Sequence, residues 1–217
     1  MRVLLSLILA MGLANSVHAS GQFALPEGCE GFVTVQLKSC TVANYYRCSS
    51  NPKGDNWSTY IDGDGAFFTS RTDREGRWLE SYDHRMDEWD FLDEDAPDHS
   101  SFSALLDDGV DDFDFSTTSE TGETRRYTGY DRLSGESVQI DSVPLERTEF
   151  DVTAYDADGN RLWRRIGQQF IHREWRIFLA DRESFASADG EVFEIDDRPI
   201  EFALPGEKGF MARKPLY

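Results

Sequence analysis

Carboxylates are the most abundant titratable groups in this sequence, and many of them fall in one stretch. Between positions 87 and 114 no lysine or arginine interrupts the acidic residues Asp87, Glu88, Asp90, Asp93, Glu94, Asp95, Asp98, Asp107, Asp108, Asp111, Asp112 and Asp114. We call positions 87–114 the acidic segment. Crowded carboxylates favour a hard cation such as calcium, and the candidate ligands are Asp93, Asp95 and Asp98. Their spacing matches no recognised calcium loop, so a solvated acidic surface is the favoured interpretation.

Histidines could add acid–base chemistry to these carboxylates. His84, His99 and His172 are scattered, and no pair has the spacing of metal ligands on a helix. His84 and His99 lie beside carboxylates in sequence, so a hydrolase is one hypothesis if the fold joins them in a cleft. No Gly-x-Ser-x-Gly elbow and no phosphate-binding glycine loop supports it.

The cysteines predict a disulfide. Cys40 and Cys48 flank a predicted strand and are the favoured pair, while pairing of Cys29 with either remains open. One thiol is left over, and the paired Cys-x-x-Cys spacing of a zinc site is missing.

The first residues predict export. Met1 and Arg2 precede an apolar run over positions 3–13, and small residues then predict cleavage between Ala19 and Ser20. Export would place the protein in the periplasm or outside the cell, where disulfides persist. No later stretch approaches the roughly 20 apolar residues of a membrane helix, so we expect no transmembrane segment.

Composition indicates a folded acidic protein. Aromatic residues make up 13% of the chain, which argues against disorder because large rings bury much apolar area. The formal net charge of −19 repels nucleic acid and favours cationic partners. We expect no cofactor other than the calcium considered above, and a single domain over residues 20–217 after a signal peptide over residues 1–19.

Short alternating segments with turn residues between them predict a mainly β fold. We expect an antiparallel meander that curls into a curved sheet, half-barrel or barrel, with a covering helix over residues 100–108. The predicted strands span residues 32–37, 41–47, 57–61, 67–71, 77–82, 88–92, 111–117, 125–131, 136–140, 147–155, 161–170, 173–179, 192–195 and 200–203.

One predicted hairpin is locally basic although the chain as a whole is acidic. Its basic residues are Arg161, Arg164, Arg165, Arg173 and Arg176. If Leu162 and Ile166 point inward, Arg164 points inward too and needs a carboxylate partner.

Two segments carry a resemblance to known proteins. The segments at 129–136 (GYDRLSGE) and 145–150 (LERTEF) resemble a group of uncharacterised secreted proteins of Gram-negative bacteria. That resemblance implies export and no known activity. The predicted meander with its helix is also similar in architecture to periplasmic half-barrels that carry lipids or lipoproteins.

Large aromatic residues recur along the strands and suggest a function. A concave sheet lined by such rings could hold an apolar ligand, although rings also fill cores. The leading hypothesis is therefore a non-catalytic binding or carrier module for an apolar or lipid-like ligand. The alternatives are an envelope interaction protein that meets a cationic protein partner through its acidic segment, and the hydrolase. The rings in question are Trp57, Phe67, Trp78, Trp89, Trp163 and Trp175.

Overall fold

The structure is a computed structural model that describes residues 21–216, so the predicted signal peptide and its cleavage site at Ala19 and Ser20 lie outside the described residues. The described chain is mainly β, with one antiparallel sheet of 13 strands and one short helix, as the sequence predicts. The elements are β1 (Cys29–Leu37), β2 (Thr41–Cys48), β3 (Asn56–Asp62), β4 (Gly65–Thr72), β5 (Trp78–Asp83), β6 (Glu88–Leu92), α1 (Phe102–Asp108), β7 (Val110–Ser119), β8 (Thr124–Ile140), β9 (Val143–Tyr155), β10 (Arg161–His172), β11 (Ile177–Ser187), β12 (Val192–Asp196) and β13 (Pro199–Ala203).

The sheet is a meander whose last strand returns to the first. Strands β1 to β12 each pair with the next strand in sequence, and β13 then pairs with β1 at the opposite edge. Only Asp197 and Arg198 separate β12 from β13. Because so short a link spans at most about 10 Å, the two edges of the sheet must meet at this corner, although the sheet is not closed.

Polar contacts fix this corner, which we call the seam. The backbone N–H of Lys38 donates to the Arg198 carbonyl, and that of Asp197 donates to the Asp181 carbonyl. The Lys38 ammonium lies 2.5 Å from Asp196, and the Arg198 guanidinium lies 2.8 Å from it. Hydrogen bonds from Lys38 and Arg198 lower the pKa of Asp196 to about 2. The seam therefore ties β12 to both β1 and β13 at neutral pH.

The main core lies between the two halves of the folded sheet. Side chains of β1, β2 and β13 pack against side chains of β8 to β11. The buried members of this cluster are Val33, Val35, Leu37, Ala43, Tyr45, Val143, Leu145, Phe170, Ile177, Leu179 and Phe202. The outer face of β1 and β2 is covered by the ends of the described chain: Asn44 Nδ2 donates to the Ala212 carbonyl, and the N–H of Met211 donates to Thr34 Oγ1.

Helix α1 ends at Asp108, as the sequence predicts, but it begins at Phe102 and not at residue 100. Ser101 caps its first turn by accepting the N–H of Ala104, and Gly109 ends it in the left-handed conformation. Phe102 and Leu105 are buried against Ile171 of β10. Within residues 21–216 no helix is long and apolar enough to cross a membrane.

Two strand predictions need correction. The predicted strands at 125–131 and 136–140 form the single strand β8, whose pairing with β9 is interrupted between Leu133 and Ser137. The strand predicted over 173–179 begins only at Ile177. Residues 173–176 form a turn in which Arg176 has a positive φ of 54°, so the apparent alternation there belonged partly to a turn.

The predicted Cys40–Cys48 disulfide is wrong, because the structure joins Cys29 to Cys48. These two residues are directly opposite each other in the β1–β2 pair, with 3.9 Å between their Cα atoms. Cys40 lies in the turn at the other end of that hairpin and is exposed. An extended strand of this length holds it about 26 Å from Cys48.

We expect this pairing to decide how the cysteines respond to replacement. Cys29→Ser should lower the free energy of unfolding by about 3 kcal/mol, because the bond closes a loop across a sequence separation of 19 residues. Cys40→Ser should leave stability unchanged and abolish the reaction of the oxidised, denatured protein with a thiol reagent. A thiol signal that persists in Cys40→Ser would contradict the pairing.

Candidate functional site

Aromatic side chains form a continuous row across one face of the sheet. Neighbouring ring centroids are 5.4 Å apart for Trp78 and Tyr127, 5.2 Å for Phe115 and Tyr127, and 5.9 Å for Tyr127 and Trp163. The row continues from Trp163 to Phe185 at 6.2 Å and from Phe185 to Phe193 at 6.3 Å. We call Trp78, Phe115, Tyr127, Trp163, Phe185 and Phe193 the aromatic row.

Strand register places these rings on one face. Tyr127 of β8 is opposite Phe115 of β7 on one side and Ala154 of β9 on the other. Ala154 is in turn opposite Trp163 of β10. Because alanine is small, the rings of Tyr127 and Trp163 meet over β9, and the row is not interrupted there.

The face that bears the row is concave. Trp78 lies on β5, whose hydrogen-bonded neighbours are β4 and β6, yet its ring contacts Phe115 on β7 at 5.5 Å and Tyr127 on β8. A ring can reach a strand three positions away only if the sheet curves toward that ring.

The row is buried in its middle and open at both ends. Phe115 and Tyr127 are 3% and 7% exposed, whereas Trp78 is 44% and Phe193 is 51% exposed. Val192 is also exposed, but strand alternation places it on the face of β12 opposite to Phe193, so Phe193 alone forms this end of the row. The middle of the row therefore belongs to the core, while its ends offer apolar contact to a ligand.

Charged groups flank the row. Arg125 on β8 lies within ion-pair distance of Asp90 at 3.2 Å, Glu88 at 3.8 Å and Glu123 at 3.3 Å. Burial raises the pKa of Asp90, and the charges of Glu88 and Glu123 add to this effect, while Arg125 opposes it. Carboxylates outnumber the cation here, so this side of the row disfavours anionic groups.

The acidic segment is divided among several environments. Asp114 pairs with Arg126 at 2.5 Å, and Asp93 accepts a hydrogen bond from the Thr118 hydroxyl. Asp98 forms a backbone bridge with Asp114, while Asp95 is exposed. Among residues 21–216, no group of three or more His, Cys, Asp and Glu side chains could hold a metal ion. The candidate ligands Asp93, Asp95 and Asp98 are therefore not brought together as a calcium site.

None of the histidines of the described chain lines either of two surface clefts. His84 Nε2 lies 2.9 Å from Thr69 Oγ1, and His99 Nε2 donates to the Glu94 carbonyl. One surface cleft of about 480 Å³ is lined by Asp141, Ser142, Val143, Phe202, Leu204, Glu207 and Lys208. A second of about 490 Å³ is lined by Ser116, Thr124, Arg126, Tyr155, Asp156, Ala157 and Gly159. Neither cleft joins a histidine to a carboxylate.

The expected inward position of Arg164 is wrong. Ile166 is 43% exposed, so the face of β10 that carries Ile166 and Arg164 points outward. Arg164 does have the carboxylate partner that was expected, Asp151 at 2.5 Å, but on the outer surface. The adjacent residues Trp163 and Arg165 take the inner face, and Arg165 pairs there with Glu183.

Sequence reasoning missed a buried carboxyl pair near α1. Asp111 and Asp131 are directly opposite each other in the β7–β8 pair and are 6% and 8% exposed. Burial is the main reason that the pKa of Asp111 rises to about 6 and that of Asp131 to about 7, and the charge of Asp111 raises the pKa of Asp131 further. Strand alternation could have revealed the pair, because Asp111 shares a face with Phe113 and Phe115.

A scan against protein-family models, a search of curated proteins and a search of solved structures found no match to this chain. The resemblance to secreted Gram-negative proteins therefore stays a prediction.

Close strand packing beside the row generates a prediction about Gly129. A Cβ atom at Gly129 would collide with the Asp151 carbonyl oxygen and lie 3.0 Å from Phe113 Cζ. Gly129→Ala should therefore lower the free energy of unfolding by about 2–3 kcal/mol, measured by urea denaturation. Gly63→Ala is the control, because no atom lies within 4 Å of its added Cβ. Equal stability of the two variants would contradict the described packing.

Proposed function

We propose that this protein is a non-catalytic binding module that holds an elongated apolar or lipid-like ligand along the aromatic row. The observation that carries the proposal is the continuity of the row on a concave face, with exposed rings at both ends. Isolated exposed rings are common on protein surfaces, but here two exposed ends are connected through a packed centre, so one elongated ligand can contact both ends.

Dimensions and charge narrow the ligand class. The row crosses from β5 to β12 in four steps of 5.4–6.3 Å between ring centroids, a path of at most about 24 Å. A chain-like ligand can follow such a path, whereas a compact ligand would contact only one end. The net charge of −19 and the carboxylates around Arg125 disfavour an anionic head group. We therefore propose a neutral or zwitterionic amphiphile.

The site of action in this proposal is the periplasm or the extracellular space. Support comes from the signal-like first residues and from the Cys29–Cys48 disulfide, which persists in oxidising compartments.

A second candidate function is docking of a cationic protein. It is favoured by exposed carboxylates of the acidic segment that make no ion pair within the described chain: Asp87, Glu94, Asp95, Asp98, Asp107, Asp108 and Asp112. Its test is binding of polylysine at low salt, which should weaken when these residues are replaced by their amides.

Ligand binding is tested with Nile red, a neutral apolar dye, followed by displacement with palmitoyl lysophosphatidylcholine. Trp78→Ala and Phe193→Ala should each weaken dye binding about ten-fold, because each removes apolar contact at one open end of the row. Fluorescence titration measures the dissociation constant, and circular dichroism checks that each variant is folded.

The matched control is Phe91→Ala. Phe91 is 43% exposed, close to the exposure of Trp78, but strand register places it opposite Glu80 and Thr118, on the other face of the sheet. Its replacement should leave the dissociation constant unchanged. Equal weakening in all three variants, or no binding by the wild-type protein, would overturn the proposal.

A further inference from the structure

The carboxyl pair Asp111–Asp131 contacts the helix α1 through its N-terminus. Asp111 accepts the backbone N–H of Ser101, the residue that caps α1, at 2.8 Å. Asp131 accepts a hydrogen bond from Gln169 Nε2 on β10. Each carboxyl therefore accepts one hydrogen bond from the protein. The two carboxyls lie side by side and away from water, so this arrangement suits a pair in which only one carboxyl is ionised.

The rest of the α1 docking site is also polar at this end. Glu75 of the β4–β5 loop accepts the N–H and the hydroxyl of Ser103 and pairs with Arg176 at 2.9 Å. Partial burial alone would raise the pKa of Glu75, but these hydrogen bonds and the charge of Arg176 lower it. Glu75 is thus a fixed anion, and the nearest cation is already paired with it.

Further negative charges surround the pair. Asp98 before α1, Asp112 on β7 and Glu75 all raise the pKa of Asp111, whereas the Ser101 N–H lowers it. The helix itself adds the exposed Asp107 and Asp108 near its C-terminal end. From β9 the residue opposite Asp131 is the uncharged Phe150, and from β10 the uncharged Gln169 contacts Asp131. None of these groups carries a positive charge that could stabilise a doubly ionised pair. Arg176, the nearest cation, is already paired with Glu75.

We propose that Asp111 and Asp131 form a proton-dependent latch for α1, which stays docked while the pair holds a proton and is released when both carboxyls are ionised. Two adjacent buried carboxylates repel each other and lack hydration. Lifting α1 admits water to the pair and relieves both costs. The apolar surface of Ile171, Phe178 and Leu133 beneath α1 is then uncovered. This inference does not depend on the aromatic row binding a ligand.

The direction of the pH effect follows from proton binding. Burial in the docked structure raises the pKa values of Asp111 and Asp131 from 3.8 to about 6 and about 7. Because the proposal assigns this burial to α1, the docked state binds more protons than the released state across this interval. Docking is therefore fully favoured at low pH and weakens as pH rises from about 4 to about 7. Above both pKa values we expect no further change in the free energy of docking, since both carboxyls are ionised in the docked and in the released state.

Hydrogen exchange of α1 amides in the full exported protein tests the latch without any ligand. The reporters are the N–H groups of Leu105 and Gly109, which donate to Ser101 and Leu105 carbonyls. After division by intrinsic exchange rates, their protection in the wild-type protein should fall at least ten-fold between about pH 5 and about pH 8. Asp131→Asn keeps an acceptor for Gln169 and should abolish most of this fall.

Two further variants make the result decisive. Asp111→Asn keeps an acceptor for the Ser101 N–H and should also flatten the pH profile, which covers the case in which Asp131→Asn does not fold. Asp95→Asn removes an exposed carboxylate from the loop before α1 and should retain the wild-type fall. Constant protection of α1 in the wild-type protein would overturn the latch, as would an unchanged fall in both pair variants.

Discussion

The two-residue link between β12 and β13 constrains the rest of this structure. An antiparallel meander can remain flat and open, but here the strands at its two edges are covalent neighbours through Asp197 and Arg198. The sheet has to curl until its edges meet, and the charges of Lys38, Asp196 and Arg198 hold them there. The main core and the concave face that bears the aromatic row both depend on this curl.

Curvature gives the aromatic row two properties at once. Trp78 reaches Phe115 and Tyr127 across the curved sheet, and the rings of Phe115 and Tyr127 pack as core. Toward β12 the row reaches an edge strand that pairs on one side only, and Phe193 is half exposed. The same row thus stabilises the sheet and leaves apolar surface at its ends, so the proposed ligand could bind there without disturbing the packing at the centre.

Local sequence signals predicted most elements, and long-range geometry explains what they missed. The alternation of Phe150, Val152 and Ala154 and the pattern of α1 were sufficient for β9 and the helix, because both depend on neighbours in sequence. The Cys29–Cys48 bond, the contact of Trp78 with β8 and the Asp111–Asp131 pair depend on strand register instead. Register between distant segments leaves no mark in a single sequence. For the carboxyl pair the sequence offered one local signal, because strand alternation places Asp111 on the same face as Phe113 and Phe115.

Pairing of the first strand with the last also sets an order of assembly in time. Thr34 of β1 is opposite Ala203 of β13, so the main core is incomplete until β13 has been synthesised. Hairpins can form early, but Val33 and Val35 remain without Phe202 until then. A nascent chain of this kind resists premature folding, and a chain cut short before β13 would expose the β1 edge and be a substrate for proteolysis.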